Sequence, residues 1–157
     1  MNILNQLNNQ FASQNTKSKA KPTLDVWDSL GNDRFLRPFA VEKRKATNRV
    51  MDEIYDDLTP YINRCEMPWF AFEKLKKIRI SGFMIKDFGG PGFNNLEQGA
   101  IIYEMAKRDA SITSGVCAHN IIGTAVLNEL GSEEQRKRFL PETINMDKMV
   151  CFGLTEP

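Results

Sequence analysis

The sequence predicts a mainly α fold that ends in a single β-strand. Apolar residues recur at helical spacing, as at Val50, Ile54 and Leu58, and helix-capping signals precede two further apolar segments. The one clear strand-length apolar run is Met149–Leu154. With 157 residues, 41% of them apolar and 26% charged, the chain has the composition of an ordinary soluble globular protein. This length suits one domain, or one domain plus a piece of a second.

The charge balance and the metal-binding residue types exclude several classes of function. Lys and Arg number 21 and Asp and Glu 20, so the chain lacks the basic excess of a nucleic-acid binder. No apolar run approaches the roughly 18 residues of a membrane span. The cysteines Cys65, Cys117 and Cys151 form no CxxC pair, and His119 is the single histidine, so no metal site is predicted. We interpret the cysteines as small buried residues in a reducing compartment.

Residues 1–32 are predicted to be a polar tail followed by an extended lead-in over Pro22–Gly31. Residues 1–24 hold no acidic residue and three lysines, and they lack the apolar core of a secretory signal. A disordered tail is the favoured interpretation. An organelle-targeting segment stays open, although the arginines typical of such a segment are absent.

Two helices are predicted before the glycine-rich region. The first covers about Asp33–Arg64, and Pro60 should bend it or divide it into two helices in series. Pro68 opens the second, which should end near 79–81. The lysines and arginine within that second helix are interpreted as a solvated face. Residues 81–93 are predicted to be a loop, and they lack the glycine spacing of a nucleotide-binding motif.

Three more helices are predicted after the loop. Asn94 and Glu97 form a capping box for a central helix over Leu96–Lys107. A second buried helix over 121–130 should end at Gly131 as its C′ residue. Ser132 and Gln135 form another capping box, for a helix that should reach about Leu140 before Pro141 bends the chain.

The Met149–Leu154 strand cannot satisfy its own backbone hydrogen-bonding groups. Because the chain ends three residues later, we expect a fragment, a truncated product or an incomplete gene model. The domain prediction is therefore a helical domain over 33–146, followed over 147–157 by the opening strand of a truncated β domain.

Several sequence blocks in this order resemble the acyl-CoA dehydrogenase and oxidase family. They are Phe88-Gly-Gly-Pro-Gly92, Ala100–Asp109, Gly131-Ser-Glu-Glu-Gln-Arg136 with Phe139-Leu-Pro141, and Cys151-Phe-Gly-Leu-Thr-Glu-Pro157. The last is similar to the opening of the family's flavin-binding motif. The resemblance covers roughly residues 33–157. The sequences of these blocks are most similar to those of glutaryl-CoA dehydrogenase and the short-chain acyl-CoA oxidase of that type.

The resemblance implies an N-terminal helical domain, with a β domain and a C-terminal helical domain to follow. It implies α,β-dehydrogenation of an acyl-CoA thioester with FAD as cofactor. Phe152, Leu154 and Thr155 match positions that contact the flavin. No catalytic residue is assigned, because the family's catalytic glutamate lies beyond residue 157. The isolated chain is therefore expected to be inactive and to bind no flavin.

The resemblance also implies that the acyl pocket is lined within residues 111–115. Where glutaryl-CoA dehydrogenases carry an arginine followed by a serine, this chain has Thr113 and Ser114. Threonine cannot form a bidentate charged clamp, so a plain or branched acyl chain fits better than a dicarboxyl one. Small residues for close helix packing are the equally weighted alternative. His119 is expected to be a hydrogen-bonded, partly buried residue without a catalytic role.

A homo-oligomer is expected for the full-length protein, located in the mitochondrial matrix or the peroxisome, between which the sequence does not decide. The alternative function is a non-catalytic helical assembly module or decoy subunit. Such a module would need a partner to cover the apolar faces of its two central helices.

Overall fold

The computed structural model describes residues 25–151 and 153, and over these residues the mainly α prediction is confirmed. The helices are α1 (Val26–Ser29), α2 (Pro38–Arg64), α3 (Trp69–Lys77), α4 (Asn95–Ala106), α5 (Ala110–Cys117), α6 (Ala125–Leu130) and α7 (Glu133–Ile144). Short 3-10 turns cover Asn32–Phe35 and Asp87–Gly89, and a π-helix, Ala118–Thr124, joins α5 to α6. The chain divides into two compact units between Phe35 and Leu36.

The described part of the first unit contains α1 and the 3-10 turn after it. Asp25 caps α1 by accepting the Trp27 N–H at 2.9 Å, and the Trp27 indole N–H donates to Asp33 at 2.9 Å. Gly31, at φ 61°, makes the turn between them. The extended lead-in predicted here is therefore wrong for Val26–Ser29, because the Asp25 side chain provides a helix cap.

Helix α2 is one uninterrupted helix that begins with Pro38 at its first position. It continues through Pro60 to Arg64, so the predicted alternative of two helices in series is wrong. Pro60 is exposed and lies close to the helix end, where the loss of one backbone hydrogen bond does not stop the last turn. The buried stripe differs by one residue from the predicted one, since Met51 rather than Val50 lies in the core beside Ile54 and Leu58.

The capping box predicted at the start of α4 is confirmed. Asn94 Oδ1 accepts the Glu97 N–H, and Glu97 Oε2 accepts the Asn94 N–H, both at 2.9 Å. Arg37, which precedes α2, donates from Nε to Glu97 Oε1 at 2.6 Å and from Nη2 to the Gly92 carbonyl at 2.7 Å. Arg37 thus joins the start of α2 to the glycine-rich loop and, through Glu97, to the start of α4.

Helices α2 and α4 make the most extensive helix-to-helix contact among the described elements. At its centre a buried ion pair joins Arg44 to Glu104, whose carboxylate also accepts from Asn48 at 2.6 Å and from Lys107 at 2.5 Å. Apolar side chains pack around these helices to form the core. The largest of them with almost no exposed surface are Phe83, Met51, Ile54, Leu58, Leu75, Ile80, Ile101, Met105 and Leu140.

The segments α5, the π-helix and α6 form one continuous helix of 21 residues, Ala110–Leu130. By length and composition alone this helix could cross a membrane, but the core helix of a soluble protein passes the same test. Its buried polar residues His119 and Asn120 hydrogen-bond to other parts of the helical fold. These bonds are those of a core helix, so the membrane-span signal is weak evidence.

The Ser132–Gln135 capping box at the start of α7 is also confirmed, with hydrogen bonds of 2.8 and 3.2 Å. The helix then continues through Pro141 to Ile144, so it does not end near Leu140. Gly131 ends the preceding helix in an extended conformation at φ −69° rather than in the left-handed one. A Cβ on Gly131 would lie 2.3 Å from the Leu127 carbonyl oxygen, so this position needs glycine for close approach.

The strand predicted for Met149–Leu154 is not seen. Met149–Cys151 and Gly153, the residues of this run that the structure describes, have no regular secondary structure. A strand needs a neighbouring strand for its hydrogen bonds, and residues 25–151 contain none. The Val150 N–H donates instead to the His119 side chain.

The interpretation of the cysteines as buried residues is wrong. Cys65 and Cys151 are exposed and Cys117 is only partly buried, and all three thiols are free. Cys65 ends α2 in the left-handed conformation at φ 54°, in a position that faces solvent. Burial of Cys117 raises the pKa of its thiol, which disfavours the reactive thiolate.

Candidate functional site

A buried cluster of hydrogen-bonded polar groups surrounds His119, within the π-helix. The imidazole is fully buried, and Nε2 lies 2.9 Å from the Thr143 carbonyl oxygen and 3.2 Å from Ser81 Oγ. Nδ1 accepts the backbone N–H of Val150 at 3.0 Å. One side chain therefore joins the glycine-rich loop, the end of α7 and the segment that follows α7.

Asn120, the next residue, holds the same loop through its side chain. Its Oδ1 accepts the Gly82 N–H at 2.6 Å and the Ser81 hydroxyl at 3.0 Å. Its Nδ2 donates to the Val116 carbonyl one turn earlier at 2.9 Å. All polar atoms of the Asn120 amide are thus directed at backbone or hydroxyl partners inside the core.

The proton arrangement on His119 decides what chemistry this cluster can perform. Nδ1 accepts an N–H and so carries no proton, and the neutral ring then has its proton on Nε2, where it donates to Thr143. Burial lowers the pKa of His119, and the hydrogen bond to the Thr143 carbonyl opposes that shift only in part. The ring is therefore neutral at pH 7.

A serine–histidine nucleophile is excluded by this arrangement, although Ser81 Oγ lies within reach of Nε2. A general base needs an unprotonated nitrogen facing the hydroxyl, and Nε2 is the protonated nitrogen. Ser81 itself is buried and donates to Asn120. The prediction that His119 is hydrogen-bonded is confirmed and its burial is complete, whereas its partners, 24 to 38 residues away in the chain, could not be read from local sequence.

The two predicted substrate-binding residues, Thr113 and Ser114, are neighbours in α5. The Thr113 hydroxyl donates to the Asp109 carbonyl at 2.6 Å, and the Ser114 hydroxyl donates to the Ala110 carbonyl at 2.8 Å. Thr113 is buried and Ser114 is exposed, so the two side chains do not converge on one surface. Each hydroxyl donates its single proton to a carbonyl of its own helix, so it could only accept a hydrogen bond from a ligand.

A mostly apolar cavity of about 250 Å³ lies beside the first turn of α5 and the end of α2. Thr113 and Ser114 are not among the residues that line it. The lining consists of Leu58, Tyr61, Ile62, Cys65, Glu66, Met67, Pro68, Asp109, Ser111 and Ile112. The Asp109 carboxylate is already used, because it caps α5 by accepting the Ile112 N–H at 2.6 Å.

The predicted flavin contacts Phe152, Leu154 and Thr155 lie outside the described residues. Of that segment the structure describes Cys151 and Gly153, which are both exposed. Gly153 has no side chain that would keep a planar ring away from the backbone, so these two residues are compatible with FAD. For metals, residues 25–151 contain no group of three or more His, Cys, Asp or Glu side chains that could hold an ion.

Comparison with known proteins gives consistent results. Residues 41–147 match the family described as "Acyl-CoA dehydrogenase, N-terminal domain". The chain is 26% identical over 121 residues to a mitochondrial isobutyryl-CoA dehydrogenase of Dictyostelium discoideum, which covers 74% of this chain and 29% of the relative. It is 31% identical over 125 residues to a probable acyl-CoA dehydrogenase of Bacillus subtilis, which covers 76% of this chain and 21% of that protein.

Solved structures have the same fold. A glutaryl-CoA dehydrogenase from Mycobacterium smegmatis in complex with FADH2 superposes with a TM-score of 0.72 at 23% identity, over 80% of this chain and 33% of that chain. A second structure of glutaryl-CoA dehydrogenase from this organism gives a TM-score of 0.73 at 25% identity, over 83% and 34%. The present chain spans about a fifth to a third of the length of these relatives. Because the family match extends over more than half of its residues, the chain belongs to the acyl-CoA dehydrogenase family and corresponds to the N-terminal domain.

Proposed function

We propose that this chain is the N-terminal helical part of a flavin-dependent oxidoreductase that acts on the CH–CH group of acyl-CoA thioesters. The observation that carries the proposal is the family match over residues 41–147, together with the shared helical fold. The relatives named above act on acyl-CoA compounds by name. Since this chain covers at most about a third of the length of each of these relatives, the activity is proposed for the whole protein.

In the proposed reaction the acyl chain loses a proton from its α-carbon and a hydride from its β-carbon. FAD supplies the hydride acceptor. We assign no residue of this chain as the base that takes the proton. The contribution proposed for this chain is to hold the cofactor through Phe152, Leu154 and Thr155 and to form part of the acyl pocket. By itself the 157-residue chain should then be inactive.

For the substrate, we propose a plain or branched acyl group rather than a dicarboxyl one. Thr113 and Ser114 direct their hydroxyl protons to carbonyls of their own helix, at 2.6 and 2.8 Å. Neither residue offers a positive charge for a distal carboxylate. The name of the isobutyryl-CoA relative supports the same substrate class.

The test uses the product of the complete reading frame that contains these residues, supplied with FAD and an artificial electron acceptor. Mass spectrometry follows isobutyryl-, butyryl- and glutaryl-CoA separately. We expect the first two to lose two hydrogen atoms at a rate at least about tenfold above that of glutaryl-CoA, which is about 1.4 kcal/mol in transition-state binding. Preference for glutaryl-CoA would contradict the substrate proposal, and no desaturation of any thioester would contradict the proposed activity.

A second candidate function is a non-catalytic assembly module, and one observation favours it. The helix Ala110–Leu130 carries an apolar face that the described residues leave exposed, formed by Ile121, Ile122, Val126 and Leu130. Such a face is typical of a surface that a partner covers. In the enzyme we propose that later domains or a homo-oligomer cover it. A stable complex of the 157-residue chain with an intact family member, without acyl-CoA turnover of its own, would favour the module.

A further inference from the structure

The segment that leads out of the helical domain is attached to the π-helix at two points. The Val150 N–H donates to His119 Nδ1 at 3.0 Å. The Val150 side chain lies directly against Gly123, where an added Cβ would be 2.5 Å from Val150 Cγ1. A polar contact and a packing contact therefore fix the same residue.

His119 lies in the π-helix, whose i→i+5 spacing gives a wider turn than that of an α-helix. His119 and the next residue, Asn120, are both fully or nearly fully buried there. Thr124 Oγ1 donates to the His119 carbonyl, five residues earlier, at 2.8 Å, which supports the wide turn.

The orientation of the His119 ring is fixed from its other side. Nε2 donates to the Thr143 carbonyl at 2.9 Å, and Ser81 Oγ lies 3.2 Å away. Donation at Nε2 requires that the neutral ring leave Nδ1 unprotonated, so Nδ1 can accept only from a donor such as the Val150 N–H. The end of α7 thus sets the tautomer that binds the segment after α7.

We propose that His119 is a positioning residue that anchors the chain at Val150, at the point where it leaves the helical domain. Its consequence for the cofactor rests on the proposed function, because Phe152, Leu154 and Thr155 are the flavin contacts assigned there. The anchoring itself does not depend on the flavin. His119 and Gly123, both in the π-helix, thus hold the segment that follows α7 at Val150.

Two substitutions test the hydrogen bonds of the two His119 nitrogens separately. In His119→Asn, Oδ1 takes the place of Nδ1 and can still accept the Val150 N–H. In His119→Gln, Nε2 takes the place of the imidazole Nε2 and can still donate to Thr143, but the acceptor for Val150 is lost. The matched pair therefore breaks either contact while the other remains.

Amide hydrogen exchange measured by NMR on the 157-residue chain reads the anchor directly. We expect amide exchange at Val150 to rise at least about tenfold in His119→Gln, because the loss of one hydrogen bond typically has an effect of about this size. In His119→Asn, which keeps the acceptor, exchange at Val150 should stay within about threefold of wild type. The Gly82 amide, held by Asn120, is the internal reference and should change by less than threefold in both. Equal Val150 exchange in wild type and His119→Gln would overturn the anchor.

A measurement on the wild-type chain covers the case in which a variant does not fold. We expect scalar coupling across the hydrogen bond between the Val150 nitrogen and His119 Nδ1. We also expect the same spectra to show that Nδ1 carries no proton. Absence of the coupling with a protonated Nδ1 would overturn the anchor without any substitution.

The link to the cofactor is tested on the product of the complete reading frame. We expect His119→Gln to lower FAD retention after gel filtration at least about threefold and His119→Asn to restore it. Equal retention in both variants would overturn the cofactor role of the anchor. Failure of the proposed function looks different, because then the wild-type product itself shows no acyl-CoA desaturation.

Discussion

Arg44 and Glu104 show how a charge is kept inside this helical core. Both side chains are almost completely buried, and Glu104 has Arg44, Asn48 and Lys107 as partners. Removing one partner of such a pair leaves the other as an uncompensated buried charge. We expect Glu104→Ala to lower the free energy of unfolding by about 3–5 kcal/mol, measured by urea denaturation.

Glu66→Ala is the matched control, because Glu66 pairs with Arg64 at 2.9 Å where both side chains are half-exposed. Its cost should stay below about 1 kcal/mol. Equal costs for the two variants would contradict the assignment of Glu104 as the charge that organises the contact between α2 and α4.

Glu97 predicts a dependence of stability on pH. The hydrogen bond from Arg37, with smaller contributions from the Asn94 and Arg37 backbone, lowers the pKa of Glu97 from its ordinary 4.5 to about 2. A carboxyl group whose pKa is lower in the folded than in the unfolded state stabilises the fold at pH values above its unfolded pKa. For Glu97 this stabilisation is lost as the pH falls from about 5 towards 2. Because Arg37 is half-exposed, solvent screens the pair, and we expect about 1–2 kcal/mol.

Urea denaturation of wild type and Glu97→Gln at pH 6 and pH 2 measures this contribution apart from the other carboxylates. Wild type should be more stable by about 1–2 kcal/mol at pH 6, and the difference should shrink at pH 2, where Glu97 becomes protonated. A difference that is the same at both pH values would show that ionisation of Glu97 contributes nothing.

At the scale of single residues, a contact could be predicted only when the two residues lie close together along the chain. The capping role of Glu97 was predictable because Asn94 is three residues away. The Arg44–Glu104 pair spans 60 residues, and only packing of α2 on α4 brings the two together. The environment of His119 was likewise set by tertiary contacts, so sequence could indicate a hydrogen-bonded histidine but not its partners.

At the scale of elements, Gly131 and Gly99 have different roles, which alanine substitutions can distinguish. A Cβ on Gly131 would lie 2.3 Å from the Leu127 carbonyl, whereas a Cβ on Gly99, exposed in α4, would meet no described atom within 4 Å. We expect Gly131→Ala to destabilise the fold by about 1–3 kcal/mol and Gly99→Ala to stabilise it by up to about 1 kcal/mol.

Thermal unfolding followed by circular dichroism compares the two glycine variants with wild type. For a chain of this size, 1 kcal/mol corresponds to a shift of about 2–4 °C in Tm, so the two changes should move Tm in opposite directions. Shifts of the same sign would contradict the close approach described for Gly131.

The existence of α2, α3, α4, α6 and α7 was predictable, whereas α1 and α5 were not predicted as helices. Capping boxes at Asn94 and Ser132 act within one turn, so their effect is local. The predicted division at Pro60 and the predicted helix end near Leu140 are wrong, because α2 and α7 continue through Pro60 and Pro141. The cost of a proline falls near a helix end and is offset by packing that sequence alone does not show. The strand prediction failed because a strand depends on a neighbour that residues 25–151 do not provide.

At the scale of the whole molecule, the sequence blocks predicted the family and a mainly α N-terminal domain, and both are confirmed, whereas the predicted C-terminal strand is not seen among the residues that the structure describes. The site was less predictable. Thr113 and Ser114 lie together in α5, but their hydroxyls bond to their own helix. The flavin contacts Phe152, Leu154 and Thr155 stay predictions.

The isolated chain is expected to bind no flavin. When the 157-residue chain is purified and mixed with FAD, it should retain no flavin absorbance after gel filtration, because one segment of contacts cannot hold the cofactor against dilution. Stoichiometric retention of FAD by this chain would contradict the proposal that most of the flavin site lies outside it.

An anaerobic titration of the complete reading-frame product with isobutyryl-CoA, followed by the absorbance of the bound flavin, tests the proposed acyl-CoA oxidation directly. If this helical domain belongs to an acyl-CoA oxidising flavoprotein, the oxidised flavin band is bleached in proportion to added thioester and returns when an electron acceptor is supplied. A bound flavin that dithionite reduces but isobutyryl-CoA and butyryl-CoA leave unchanged would contradict the claim.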